Sequence, residues 1–71
     1  MSVYKVIEII GTSATSWEDA ASSALKTARS TIRDIRVAEV VKQDLDLGGG
    51  DDITYRVKLS ISFKYEASAT T

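Results

Sequence analysis

The chain reads as an α+β protein with the element order β-α-β-β, a three-stranded antiparallel sheet wrapped on one helix. Three observations predict it. From Ile53 to Tyr65 apolar and polar side chains alternate strictly, the period of a strand with one apolar and one polar face. From Trp17 onward apolar residues recur at three- and four-residue steps, the period of an amphipathic helix. Val3 to Ile10 is crowded with β-branched and aromatic residues, which is strand composition.

The first strand is Val3 to Ile10, and Gly11 punctuates its end. The polar stretch Thr12-Ser13-Ala14-Thr15-Ser16 then offers helix caps. Thr15 with Glu18, or Ser16 with Asp19, has capping-box spacing, the second pair with a shorter acid. The apolar stripe runs through Trp17, Ala20, Ala21, Ala24, Leu25, Ala28, Ile32 and Ile35. Glu18 and Asp19 stand in its first turn, Arg29 and Arg33 towards its end, as the helix dipole favours. The stripe predicts about four turns. A second strand is expected from Arg36 to Leu47, and Gly48-Gly49-Gly50-Asp51-Asp52 reads as the hairpin loop leading to the third.

The pattern is informative where it fails. One helix covers one face of a sheet, yet both early strands carry apolar groups on two faces. In the first, Tyr4, Val6 and Ile10 oppose Val3, Ile7 and Ile9; in the second, Val37, Val41, Leu45 and Leu47 oppose Ala38 and Val40. Strands apolar on both faces are normally covered on both. Four of the eight stripe positions are alanine, which permits close approach but buries little area. The second face is therefore expected to pack against other subunits.

Size and composition point the same way. The chain has 71 residues with no Cys, His or Pro, and a chain this short hides only about 60% of its unfolded surface. Disulfides are excluded, and a zinc site nearly so, because only carboxylates remain as ligands. Oligomerisation is left as the source of stability. We expect one domain over residues 1–71, with its core in 3–66 and a frayed tail at 67–71. Nine basic and ten acidic residues, a net charge of -1, give no electrostatic case for nucleic acid. No apolar run reaches the 18 or so residues of a membrane span. The N-terminus lacks the layout of a signal peptide, so a soluble, cytoplasmic protein is expected.

The residues give little for catalysis. Without histidine, no unperturbed side chain titrates near neutrality, and the serines read as caps and exposed positions. The triple glycine opens a strand rather than a helix, with no Lys-Ser/Thr after it, so it is no phosphate loop. Asp44-Leu-Asp46-Leu-Gly48 lacks the third acid and the closing Glu of an EF-hand. Asp44 and Asp46 nevertheless lie two apart on a strand, hence on one face. Such carboxylates could hold a divalent cation in a symmetric assembly, or form a solvated acidic hairpin that repels edge pairing. Trp17 on the apolar stripe reads as core packing rather than a stacking platform.

The segment Val-Tyr-Lys-Val-Ile-Glu-Ile-Ile-Gly-Thr-Ser at residues 3–13 resembles the start of a dodecin. So do Ser-Trp-Glu-Asp-Ala-Ala at 16–21, Ile-Arg-Val-Ala-Glu-Val at 35–40, and the long alternating last strand. The resemblance covers residues 3–66. It implies a β-α-β-β protomer and a hollow homododecameric shell of cubic symmetry, not an enzyme. Dodecins of the usual kind hold flavins in stacked pairs between symmetry-related tryptophans, with a last-strand glutamine at the ring edge. The aligned positions are Val37 and Arg56. Valine offers no flat partner to an isoalloxazine, and a guanidinium is no amide that both donates and accepts.

The chain thus resembles the branch of dodecin-like proteins without the flavin sandwich, some of which are associated with calcium. Glu8, Asp44 and Asp46 are the candidate metal ligands, as carboxylates on strands that no family motif places. The expected function is binding or storage of a divalent cation, calcium among them, or of an anionic small molecule at Arg56. Two alternatives stand: a flavin (FMN or riboflavin) held in an altered pocket against Tyr55 or Tyr65, and a purely structural assembly.

Overall fold

The computed structural model describes residues 2–65 of the chain. Strand β1 (Tyr4–Ser13), helix α1 (Trp17–Arg29), strand β2 (Ile35–Gly49) and strand β3 (Asp52–Lys64) succeed one another along it. The sheet order is β1-β3-β2, with both pairings antiparallel. The strictly alternating strand is thus the central one, and α1 lies across one face of the sheet. The 15-residue β2 runs about 50 Å at strand rise, so the β2–β3 hairpin sets the long axis of a molecule measuring 54 × 20 × 17 Å.

The core is small. Val57, Leu59 and Ile61 of β3 are buried under Ala20, Ala24 and Ala28 of α1. Ile7, Ile9, Trp17, Ala21, Leu25, Ile32, Ile35 and Ala38 pack around them. Gly11 does not end β1, which continues two residues beyond it. It sits where α1 crosses: a Cβ there would lie 2.7 Å from the Ala24 Cβ and still closer to the Ala20 carbonyl. Glycine answers here to close approach of two backbones rather than to a turn.

Ser16 is the N-cap, its Oγ accepting from the Asp19 backbone N–H at 2.9 Å. Asp19 does not reach back to the cap's own N–H. Its Oδ2 accepts instead from the Ser13 hydroxyl at 2.7 Å. Ser13 Oγ in turn accepts from the Thr15 N–H at 3.0 Å, so the end of β1 and the start of α1 share one hydrogen-bond network. The helix stops at Arg29, capped by Ser30. Ile32 and Ile35 extend the apolar period beyond it but pack from the turn and from the first residue of β2. Asp34, at φ 59°, turns the chain into that strand through the left-handed region that aspartate tolerates.

Strand β2 runs 35–49, wider than its expected span, and its pairing with β3 slips between Ile35 and Val37, between Val40 and Lys42, and between Asp46 and Gly49. Each bulge places an extra residue and switches the face of the residues beyond it. Ala38 and Val40 oppose Ile61 and Leu59, on the helix side; beyond Val41, Leu45 opposes Tyr55, also on that side. Val37 opposes Ser62, on the far side. The single face expected for Val37, Val41, Leu45 and Leu47 is therefore broken. The expected tail at 67–71 lies outside the described residues.

Candidate functional site

Among the described residues, no element covers the face of the sheet turned away from α1. Register fixes its occupants: Tyr4, Val6, Glu8, Ile10 and Thr12 from β1, with Lys64, Ser62, Ser60, Lys58 and Arg56 from β3 opposite them. Val37, Glu39, Lys42, Asp44 and Asp46 of β2 complete it, opposite Ser62, Ser60, Lys58, Arg56 and Thr54. Val6 and Val37 are each 59% exposed, and Tyr4 and Ile10 are also open. The unpartnered apolar surface expected from the two-sided strands is present.

Charges on this face stack in rows across the strands. Glu8 and Glu39 flank Ser60; Lys42 faces Lys58; Asp44 faces Arg56. The Asp44–Arg56 contact is two-pronged, with Nε donating to Oδ1 at 2.7 Å and the second guanidinium nitrogen to Oδ2 at 3.1 Å. Lys58 Nζ lies 3.2 Å from Glu8 Oε1. Ile10, Lys42, Asp44, Arg56 and Lys58 line a cleft of about 130 Å³. The hydrogen bond from Arg56 holds the Asp44 carboxyl below the usual aspartate range, with the charges of Arg56 and Lys42 assisting against partial desolvation. Reciprocally, the bond to Asp44 and its charge hold the Arg56 guanidinium above its ordinary value.

Asp44 and Asp46 share the face, as their spacing implies. Asp46 Oδ1 accepts from the Gly48 N–H at 2.9 Å. Glu8 stands on the opposite edge strand, across β3 from them. Among the described residues, no group of three or more Asp and Glu side chains comes together as a metal cage. One protomer thus offers an aspartate pair and a separate glutamate. Val37 and Arg56 stand on the same face, but their β3 positions, Ser62 and Arg56, are six residues or about 20 Å apart.

The aromatic rings are otherwise engaged. Trp17 meets Tyr55 edge-on, centroids 5.3 Å apart at 87°, and its Nε1 donates to the Asp44 carbonyl at 3.1 Å. Tyr65 lies under Lys5, whose Nζ is 5.9 Å from the ring centroid. Lys42 escapes a reading from strand parity alone, because the bulge at Val41 is what turns it towards Lys58 and the cleft. Among the described residues, no helix is long and apolar enough to cross a membrane.

Comparison with known proteins agrees with this architecture. The family profile Dodecin matches residues 3–66. Calcium dodecin of Mycobacterium tuberculosis is 59% identical over 64 residues, covering 90% of each chain. A crystal structure of that calcium dodecin, described as calcium-chelating with a novel calcium-binding site, superposes with a TM-score of 0.85 at 54% identity, over 99% of this chain and 100% of the other. A mutant of Thermus thermophilus dodecin gives 0.84 at 35% identity, over 93% and 98% of the two chains. Dodecin from Streptomyces coelicolor gives 0.85 at 28% identity, over 94% and 96%. With the helix, the strand order and the profile in agreement over nearly its whole length, the chain belongs to the dodecin family.

Proposed function

We propose that the protein is a non-enzymatic, homododecameric shell of the cytoplasm that binds and stores a divalent cation, calcium in the first instance, with the usual flavin sandwich lost. The observation that carries this reading is the outer face of the sheet. It combines uncovered aliphatic side chains, Val37 among them, with Glu8, Asp44 and Asp46, and the family resemblance aligns Val37, which has no ring, with the stacking tryptophan. Uncovered apolar surface favours burial against further copies. A hard cation takes six to eight oxygens, more than one protomer's aspartate pair supplies, so symmetry-related carboxylates would complete the shell of ligands. Likeness to calcium dodecin supports the choice of ion.

Native mass spectrometry and calorimetric calcium titration test the reading together. The expected result is a particle of twelve times the 7.7 kDa subunit, metal-sized mass increments, and saturable heat. Flavin-sized increments would overturn the loss of the sandwich. A bare shell with no calcium heat would leave a purely structural assembly.

A second reading has one observation behind it. Lys42, Arg56 and Lys58 surround the single carboxylate of Asp44 in the outer cleft, so this cleft favours an anionic small molecule over a cation wherever Asp44 stays paired to Arg56. Saturable heat on titration with inorganic phosphate in the absence of calcium would favour it.

A further inference from the structure

We propose, resting on the anion reading of the outer cleft, that Lys42 and Lys58 form a two-lysine clamp for a phosphate group, with Arg56 completing its wall. The bulge between Val40 and Lys42 makes the clamp. Val40 opposes Leu59 on the helix side, so unbroken pairing would set Lys42 opposite the buried Val57. The extra residue instead sets Lys42 opposite Lys58, on the outer face. Bulges re-aim side chains in this way, and are over-represented beside functional sites.

Within the protomer the arrangement is unfavourable. Like charges directly opposite each other across two strands are destabilising. Glu8 meets Lys58 at 3.2 Å, but Lys42 has no ion pair among the described residues. Asp44 gives both carboxylate oxygens to Arg56, which spends Nε and one terminal nitrogen on them. The other terminal nitrogen has no acceptor among the described residues. Lys42, Arg56 and Lys58 thus line the cleft against one carboxylate that is already taken. An anion between the lysines turns their repulsion into two attractions.

The lining favours phosphate over a carboxylate. A carboxylate matches one guanidinium fork, and Asp44 already fills that of Arg56. A phosphate group carries up to two negative charges and three strong acceptor oxygens, enough to meet both lysines and the spare guanidinium nitrogen together. Lysine binds phosphate readily as a point charge. At about 130 Å³ the cleft falls well below the ~300–1,000 Å³ of pockets for drug-sized molecules. It therefore takes the phosphate group and leaves the rest of an ester outside.

Calorimetric titrations of the assembled, calcium-free protein with inorganic phosphate, glycerol phosphate and acetate test the clamp, each variant being checked for assembly by native mass. Saturable heat is expected from a phosphate compound and none from acetate. Heat from either phosphate compound supports the clamp, and the tighter of the two separates the free ion from an ester as its ligand. Lys42→Gln and Lys58→Gln are each expected to weaken binding about five- to tenfold, the worth of one exposed charge-assisted contact. Asp44→Asn, which removes the competing negative charge, is expected to tighten it. Lys26→Gln removes the same charge from the exposed side of α1 and is expected to change nothing.

Acetate that binds as tightly as phosphate, and is weakened alike by Lys42→Gln, keeps the anion reading and overturns the choice of phosphate. Phosphate binding that both Lys42→Gln and Lys58→Gln leave untouched, or that Lys26→Gln weakens equally, overturns the clamp. So does weaker phosphate binding in Asp44→Asn. Should one lysine variant fail to assemble, the other decides in its place. No saturable heat from any of the three anions overturns the anion reading itself.

Discussion

The indole of Trp17 donates its Nε1–H to the backbone carbonyl of Asp44, 3.1 Å away and 27 residues on in the chain. That bond joins the first residue of α1 to the strand carrying the Arg56-paired carboxylate, and the ring packs edge-on against Tyr55 of β3. One side chain thus pins the helix start across both strands of the hairpin. Trp17→Phe keeps an aromatic edge for Tyr55 and removes the donor, which is expected to cost about 1 kcal/mol. Trp17→Ala removes the ring as well and is expected to cost about 3 kcal/mol. Urea unfolding at one fixed protomer concentration checks both. Equal losses in the two variants would mean that the hydrogen bond carries the whole contribution and the packing none.

Much of this arrangement could be read from the residues. Strict alternation from Ile53 to Tyr65 belongs to the central strand, whose odd-numbered side chains Val57, Leu59 and Ile61 are the buried ones. Sidedness is unmistakable there because one helix covers one face. The helix end was less legible. Ile32 and Ile35 keep the apolar step because they too reach the core, though the backbone left the helix at Arg29. Periodicity records which side chains are buried, not which hydrogen bonds the backbone makes. In β2 the bulges reset parity at Val41, and a bulge leaves no composition signature. Carboxylates at Glu8, Asp44 and Asp46 could be named from the chain. Their cation partners depend on cross-strand register, which pairs Asp44 with Arg56 twelve residues away.

Gly11 lends itself to a sharper test than the other glycines. Its substituent would meet Ala24 Cβ at 2.7 Å and the backbone of Ala20, and a helix backbone cannot rotate aside as a flexible side chain can. Gly11→Ala therefore has to push α1 off the sheet, and is expected to lose about 2 kcal/mol or more. Gly49 has open space around the same added atom, so Gly49→Ala is expected to be nearly neutral. Comparing the two urea midpoints separates the close-approach argument from a general cost of replacing glycine in this protein.

Acid should act on the outer face through Asp44. Its carboxyl is held below the ordinary aspartate value, first by the hydrogen bond from Arg56. A depressed carboxyl contributes stability that is fully present above the ordinary value and is lost as pH falls through the lowered one. The contribution is therefore constant across neutral and mildly acidic pH and disappears only in strong acid. Midpoints of wild type and Asp44→Asn, measured at fixed protomer concentration, are expected to differ at pH 7 and converge at the acid end. A constant gap across the whole range would show that the asparagine acts through something other than lost charge. Salt should narrow the gap at neutral pH, since the pair is solvent-exposed.

Val37 tests the family assignment of the pocket. It stands on the uncovered face opposite Ser62 and is 59% exposed, so a larger side chain there displaces nothing within the protomer. Val37→Trp is expected to fold as the wild type does, and native mass spectrometry checks its assembly. If Val37 occupies the stacking position, the variant regains a flat partner for an isoalloxazine, and symmetry-related copies offer it in pairs. Riboflavin emission is then expected to be quenched on titration with Val37→Trp and left bright by the wild type. Arg56 limits the gain, because the guanidinium is tied to Asp44 and lacks the amide's paired donor and acceptor. Adding Arg56→Gln to Val37→Trp is therefore expected to strengthen quenching further. A fully assembled double variant that leaves riboflavin emission unchanged would show that these two residues do not line a flavin pocket.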